Sequence, residues 1–397
     1  MAVSVGYGAA AAAWVVAGEA LPGGRWLAVH LFTLGVVTNV VLALSDHFAR
    51  TLTHQPGRVP AWQLPTANAG VLCVLAGRVG GWSWAVVLGA TVLTAVVFLS
   101  YRRLRHMRRR ALAPRFGWIV RMYERAHGAF IHGAVLGAIL GTGAAGRWYV
   151  PVRTAHLHVN LLGWAGLTLL ATMVFFGPTV ARAQIGEGRE ARARRALGWG
   201  ATGLTAGVVA ILGSGIQGTI GVVFRSVAAA GLATFAWSVS AVSAGVVEAV
   251  RRARPSPQSW AMLAASCWFP AVAWADVAVI AFDLPHLLDP LGAALVLGVL
   301  VQLIQGSMTY LTPLLIDRAG RERVSELLAA GGRSRVVAWN LAVALAVVGA
   351  VGGSPSGAAA ALDRVGWGLA IALLASQAVL AVLALLRAPS GAARSTR

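Results

Sequence analysis

The sequence predicts an all-α integral membrane protein with twelve transmembrane helices. Of its 397 residues, 58% are hydrophobic and only 12% are charged, and the mean hydropathy is +0.72. A soluble protein cannot bury that much apolar surface, whereas a run of about twenty apolar residues is long enough to span a bilayer. Twelve such runs follow one another, at 4–20, 26–48, 64–79, 82–101, 118–142, 152–181, 196–213, 219–247, 258–282, 290–316, 335–351 and 365–387.

The arginines predict the orientation of these helices. All 33 basic residues are arginine, and most lie in the loops that a cytoplasmic N-terminus would place inside, including the run RRLRHMRRR at 102–110. Cytoplasmic loops carry such an excess of positive charge. We therefore expect a bacterial inner-membrane protein with both termini in the cytoplasm, ending in a short tail at 388–397. The net charge of +20 has the same origin and does not indicate nucleic-acid binding.

Short matches along the chain predict an internal repeat within a single membrane domain, 1–397. The sixth and tenth helices share a glycine, a hydroxyl residue and a proline at one common offset: Gly163, Thr172 and Pro178 match Gly298, Ser307 and Pro313. Self-similarity at a fixed period indicates repeated structural units. We expect three four-helix units related by pseudo-threefold symmetry, at about 1–101, 118–247 and 258–387.

Two histidines occupy matched positions in these units. His30 and His158 each stand five residues before a glycine, and the third unit has Ala293 at the same place. Matched positions lie at equal depth, so we expect His30 and His158 to form a ligand pair near the outer surface. His156 points away from His158, because residues i and i+2 are about 200° apart around a helix. A plain hydrogen-bonded role remains the alternative for each histidine.

Other polar side chains fall inside the predicted helices, where they are costly and mark functional positions by default. Glu124 and His127 share one face of the fifth helix, as a proton-relay pair or as part of an ion pair beneath the arginine-rich loop. Asp276, Gln302 and Gln305 are candidates for a polar pathway through the ninth and tenth helices.

The stretches HLFTLGVVTNVVLALSDHF and AHLHVNLLGWAGLTLLATMVFFGPTVAR resemble subunit I of the haem-copper oxidase superfamily. They are most similar to its NnrS-type haem- and copper-containing relatives and to the twelve-helix domain of actinobacteria. The resemblance implies that His30 and His158 ligate a haem, and leaves His132, His156 and His286 for copper or a second site. It also implies that three arginines pair with the haem propionates, which are Arg25, Arg147 and Arg153. A plain interfacial role is the favoured alternative for these arginines.

The sequence departs from that superfamily in ways that affect the chemistry. The seventh helix has no histidine pair, and the tenth lacks the HxH that would hold two haems. The oxygen-reducing binuclear site therefore does not carry over. We expect a membrane redox protein that binds haem, copper or both and exchanges electrons with a cupredoxin or another extracytoplasmic partner. A transporter and a cofactor-free scaffold are the alternatives.

Overall fold

The computed structural model describes residues 2–111, 114–183, 186, 188–314, 318–352 and 357–386, and this part of the chain is helical with no strand. Nine of the described helices are long and apolar enough to cross a membrane. The prediction of a multi-pass, all-helical membrane protein is therefore confirmed. The helices are α1 Ala2–Ala17, α2 Gly24–Thr53, α3 Gln63–Val79, α4 Ser83–Arg109, α5 Gly117–Gly141, α6 Gly146–Ala181, α7 Arg189–Gly213, α8 Thr219–Arg252, α9 Pro257–Ala281, α10 Pro285–Leu314, α11 Arg318–Ala329, α12 Gly332–Val351 and α13 Ala358–Leu386.

Three of the twelve predicted runs form helices outside that set of nine. Helices α1 and α3 have 16 and 17 residues, and α5 carries three charged residues in its first half. A short helix spans a bilayer only if the membrane or the flanking residues adapt. The structure thus shows a helix at every predicted position, while a count of twelve crossings remains a prediction.

Several helices extend beyond the apolar runs that predicted them. Helix α4 continues through the arginine-rich segment to Arg109, and α7 begins at Arg189. Arginine is a good helix former, so the hydrogen-bonded backbone continues where hydropathy ends. Helix α11 was not predicted, because it is amphipathic and too polar to span a membrane; it buries Val324 and Leu328.

Three helices contain a π-helical segment near the middle. The segments are Leu31–Val37 in α2, Val159–Gly166 in α6 and Ala294–Val301 in α10. They begin directly after His30, His158 and Ala293, the three positions that the sequence matches relate. Such segments are rare and occur frequently at functional sites.

The glycine at the fifth position of each π segment brings the preceding helix close. A Cβ on Gly163 would lie 2.7 Å from the Ala129 side chain of α5, and one on Gly298 would lie 2.8 Å from Trp268 of α9. Gly35 lies in the same way against Tyr7 of α1. A side chain at any of these positions would therefore push two helices apart.

Each π segment also has a carbonyl that accepts a hydrogen bond from a side chain. The Asn39 amide donates to the Gly35 carbonyl at 2.7 Å, and the Thr168 hydroxyl donates to that of Trp164 at 2.8 Å. The Trp339 indole N–H donates to the Leu297 carbonyl at 3.0 Å. Lipid offers no partner for a backbone group, so side chains supply donors where helical pairing is irregular.

The chain divides into two compact units. One comprises 1–172 and 194–238, and the other comprises 173–193 and 239–397. The first contains α1 to α5 and most of α6, and the second contains α9 to α13. The predicted cytoplasmic tail at 388–397 lies outside the described residues.

A buried carboxylate joins α2 to α4 in the first unit. Asp46 is fully buried, and its two oxygens accept hydrogen bonds from the Arg50 Nε at 2.6 Å and the Arg103 Nε at 2.9 Å. Arg103 also donates to the side chain of Gln63 on α3. A buried charge needs such complete pairing, because desolvation costs several kcal/mol per ion.

We expect Asp46→Ala to lower the free energy of unfolding by about 2–3 kcal/mol, since it leaves two guanidinium groups without their acceptor. The loss is below that of a fully buried pair because both arginines are partly exposed. Glu322→Ala, which removes an exposed carboxylate on α11, is the control and should change stability little. Thermal and denaturant unfolding in detergent measure the stability of the two variants. Equal effects of the two substitutions would contradict this account.

Candidate functional site

The candidate site in the first unit is formed by His30 on α2 and His156 on α6. The centres of the two imidazole rings are 6.5 Å apart, and the ring planes differ by 18°. Both side chains are partly buried. The two rings are therefore neighbours with nearly parallel planes.

Backbone carbonyls fix the tautomer of both rings. The Nδ1–H of His30 donates to the carbonyl of Trp26 at 2.8 Å, and that of His156 donates to the carbonyl of Gly133 at 2.9 Å. A carbonyl oxygen only accepts, so each carbonyl contact places the proton on Nδ1. The amide nitrogen of Asn160 also lies near the Nδ1 of His156, at 3.2 Å, but the carbonyl of Gly133 is closer, at 2.9 Å. The lone pair of each ring is then on Nε2, the arrangement typical of a metal-ligating histidine whose other nitrogen is held by a carbonyl.

His156 is positioned by two glycines on the neighbouring helix α5. A Cβ on Gly137 would lie 2.9 Å from the imidazole Cε1 of His156, and a Cβ on Gly133 would overlap the side chain of Asn160. Asn160 in turn donates to the His156 carbonyl at 2.8 Å. Small residues thus allow α6 to lie close enough to α5 for His156 to reach its carbonyl partner.

Trp26 and Arg78 support the other ring. The Trp26 indole stacks on His30 with 4.0 Å between ring centres and 21° between planes. The guanidinium carbon of Arg78, at the end of α3, lies 5.7 Å from the Trp26 ring centre, within the range of a cation–π interaction. The sequence analysis predicted neither Trp26 nor Arg78 as a site residue. The four-residue spacing of Trp26 and His30, which places both on one helix face, is the signal that could have identified Trp26.

The predicted ligand pair of His30 and His158 stays a prediction. Besides its stacking on Trp26, the His30 ring lies near the ring of His156, which we had not predicted as its partner. His158 is 3% exposed, and its Nδ1–H donates to the carbonyl of Thr154 on its own helix at 2.7 Å. The two histidines of α6 thus bond to different carbonyls, as the angular argument predicted. That argument did not say which of them faces α2.

The remaining candidate histidines lie elsewhere. His132 is exposed on α5 and bonds to the Gly128 carbonyl at 2.8 Å. His286 is exposed on the short turn Pro285–Leu287 of the second unit. Within the described residues, no group of three or more His, Cys, Asp or Glu side chains is arranged to hold a metal ion.

The three predicted propionate-binding arginines differ in environment. Arg25 is exposed at the start of α2, and Arg147 is exposed with its guanidinium carbon 5.8 Å from the Trp148 ring centre. Arg153 is partly buried on α6, three residues before His156. All three belong to the first unit, as do the two histidines.

Glu124 and His127 bond to different partners. Glu124 accepts two hydrogen bonds from Arg108, at 2.5 Å from Nε and 3.0 Å from Nη2. His127 is fully buried; its Nδ1–H donates to the Tyr123 carbonyl at 2.8 Å, and its Nε2 lies 3.1 Å from the Ser100 hydroxyl. Of the two alternatives for Glu124, the geometry matches the ion pair beneath the arginine-rich segment.

The predicted polar pathway falls in the second unit. Asp276 on α9 is 7% exposed and Gln302 on α10 is 1% exposed. Gln302 forms no hydrogen bond with either side-chain amide atom within the described part of the chain.

No protein-family model matches the sequence, and no curated protein is significantly similar to it. The resemblance to the haem-copper oxidase superfamily therefore depends on the residues quoted for it.

We expect Gly137→Ala to lower the free energy of unfolding by about 1–3 kcal/mol, because the added methyl group forces the His156 ring or α5 to move. Gly128→Ala on the same helix is the matched control, since its Cβ meets nothing within 4 Å. That change should be neutral or stabilising by up to about 1 kcal/mol through helix propensity. Thermal unfolding of the two purified variants distinguishes these results, and a Gly137→Ala protein as stable as the control would show that the His156 ring is not confined.

Proposed function

We propose that this protein is a membrane redox protein that binds haem through His30 and His156. The observation that supports this proposal most directly is the 6.5 Å separation of the two imidazole centres, whose Nδ1 atoms both donate to carbonyls. A metal ion holds an imidazole nitrogen at about 2.0–2.1 Å, so two imidazoles on one ion have ring centres about 6 Å apart. The donor set therefore fits bis-imidazole ligation.

The number of donors favours haem over copper alone. Haem iron takes its equatorial ligands from the porphyrin and needs only one or two from the protein. A protein copper site of the electron-transfer type needs three or more side chains. Within the described residues, no third His, Cys, Asp or Glu joins the two histidines in a metal-binding group, so the pair meets the first requirement. Copper bound by the same pair is the alternative metal.

The surrounding charges suit an anionic cofactor. Arg78 lies beside the Trp26 ring that stacks on His30, and Arg153 is three residues from His156. Arginine pairs with carboxylates through two parallel hydrogen bonds. Arg78 thus joins Arg25, Arg147 and Arg153 as a candidate partner for the haem propionates.

The proposed activity is electron transfer, or reaction of a small ligand such as nitric oxide, without oxygen reduction. When bound, the haem would supply one-electron chemistry. The chain's own residues hold both rings in one tautomer and keep the site among apolar helices, and such burial and hydrogen bonding tune a redox potential. A cupredoxin or a similar extracytoplasmic protein is the proposed electron partner.

The proposed architecture is three four-helix units that cross the bacterial inner membrane twelve times, with both termini in the cytoplasm. The π segments that begin after His30, His158 and Ala293 support the repeat. So does the packing of their glycines against α1, α5 and α9, the first helix of each proposed unit. The arginine distribution supports the orientation.

Cysteine labelling tests this orientation. In a Cys73→Ser, Cys267→Ser background, Gly143→Cys and Gly357→Cys should react with a membrane-impermeant maleimide added to intact cells. Gly57→Cys and Gly331→Cys should react only after the membrane is opened. All four glycines lie between helices, and labelling of Gly57→Cys from outside would reverse the proposed topology.

Absorption spectroscopy and metal analysis test the cofactor. We expect a Soret band in the purified protein, one haem per chain, and loss of at least nine-tenths of that band in His30→Ala and in His156→Ala. Each substitution would remove one of the two histidines that would hold the haem, and His30→Met should retain haem with a shifted spectrum, because a thioether can replace the imidazole.

His132→Ala and His158→Ala are the matched controls. The first removes an exposed imidazole from α5 and should leave the spectrum unchanged. Loss of haem in His158→Ala together with full occupancy in His156→Ala would favour the pairing that the sequence suggested. A colourless, metal-free wild-type protein after expression with added haem precursor and copper would exclude the redox proposal.

A further inference from the structure

The second unit contains a small cavity between α9, α10, α12 and α13. Its volume is about 30 Å³, and about 10–15 Å³ is enough to hold a water molecule. Most of its polar lining comes from five side chains, which are Gln302, Gln305, Thr309, Arg335 and Gln377. The cavity is independent of the proposed haem site, because none of its lining residues belongs to the first unit.

Two of these side chains have buried polar atoms without partners. Both amide atoms of Gln302, which is 1% exposed, lack a hydrogen bond within the described residues. The same is true of Nε and Nη1 of Arg335, whose Nη2 donates to the Leu328 carbonyl. A buried donor or acceptor left unpaired is costly, so each such group in a native protein needs a partner.

The charge of the cavity is also unbalanced. Arg335 brings a positive charge, and no acidic side chain lines the cavity among the residues that the structure describes. Water can bond to the amide of Gln302, but it does not neutralise a guanidinium group. Arg335 lies in the first turn of α12 and is partly buried, and a guanidinium group that has lost part of its hydration is stabilised by a counter-charge or a polar ligand.

The other lining groups suit a ligand with several oxygen atoms. Gln377 on α13 donates to the Thr309 hydroxyl at 3.2 Å, which holds both side chains at the cavity wall. Trp339 is held by its bond to the Leu297 carbonyl and closes one side with an apolar ring. The cavity therefore combines one cation, two or more amides and an aromatic wall in a space of about 30 Å³.

We propose that this cavity binds a small planar oxyanion, of the size of formate, nitrite or nitrate. The guanidinium of Arg335 balances the negative charge, and the Gln302 amide donates to one of the oxygens. Guanidinium groups form strong, charge-assisted hydrogen bonds with planar oxyanions.

Anion titration of the full-length protein tests this assignment. Purified protein in detergent is titrated with sodium nitrate or sodium formate at constant ionic strength, with gluconate replacing the anion. Calorimetry gives the Kd, and the unfolding temperature reports stabilisation of the folded state by the bound ligand. We expect saturable binding with a rise in unfolding temperature, and at least a tenfold higher Kd in Arg335→Gln and in Gln302→Leu.

Arg333→Gln is the matched control, since it removes an exposed arginine two residues away on the same helix. Its Kd should equal that of the wild type. Gln302→Leu keeps every charge, so it still tests the site if the Arg335→Gln protein does not fold. The proposal is overturned by unchanged Kd values in the two cavity variants, by equal losses in Arg333→Gln, by absence of saturable binding, or by chloride binding more tightly than nitrate and formate.

Discussion

The constraint on which this structure depends is that lipid offers no hydrogen bond to a backbone group. It makes regular helices the default, and wherever a helix departs from regular pairing, a side chain must supply the missing partner. The π segments show the consequence, because Asn39, Thr168 and Trp339 each donate to a carbonyl within one of them. Polar side chains thus accompany the change of pitch in α2, α6 and α10.

The same constraint explains which parts of the structure the sequence predicts well. Spans of apolar residues must be helical in lipid, so hydropathy alone could place the apolar part of each helix. Helix ends depend on backbone hydrogen bonding that continues past the lipid, as at Arg109 and Arg189, and hydropathy does not detect it. Helix α11 was missed for the related reason that an amphipathic helix needs packing on one side only, here through Val324 and Leu328.

The candidate site could be predicted only in part. The rarity of histidine in an apolar helix identified His30 and the two histidines of α6, and the matched spacing favoured His158. The choice between the latter two depends on the distance between α5 and α6. That distance is set by Gly133 and Gly137, which let the His156 ring approach the α5 backbone. A glycine pair four residues apart on the preceding helix is a signal of close packing. Repeat symmetry carries no such information.

Accounting for hydrogen bonds separates structural polar groups from candidate functional ones. Glu124 is bound by two nitrogens of Arg108, and His127 has partners at both ring nitrogens, so their bonding within the protein accounts for their burial. His30 and His156 differ, because their carbonyl bonds direct both lone pairs to Nε2 and thereby leave each ring able to act as a ligand. Gln302 and Arg335 are the opposite case, since their buried atoms still require a partner. A bilayer penalises unpaired groups strongly, so these atoms mark the place where a ligand would be most stabilising.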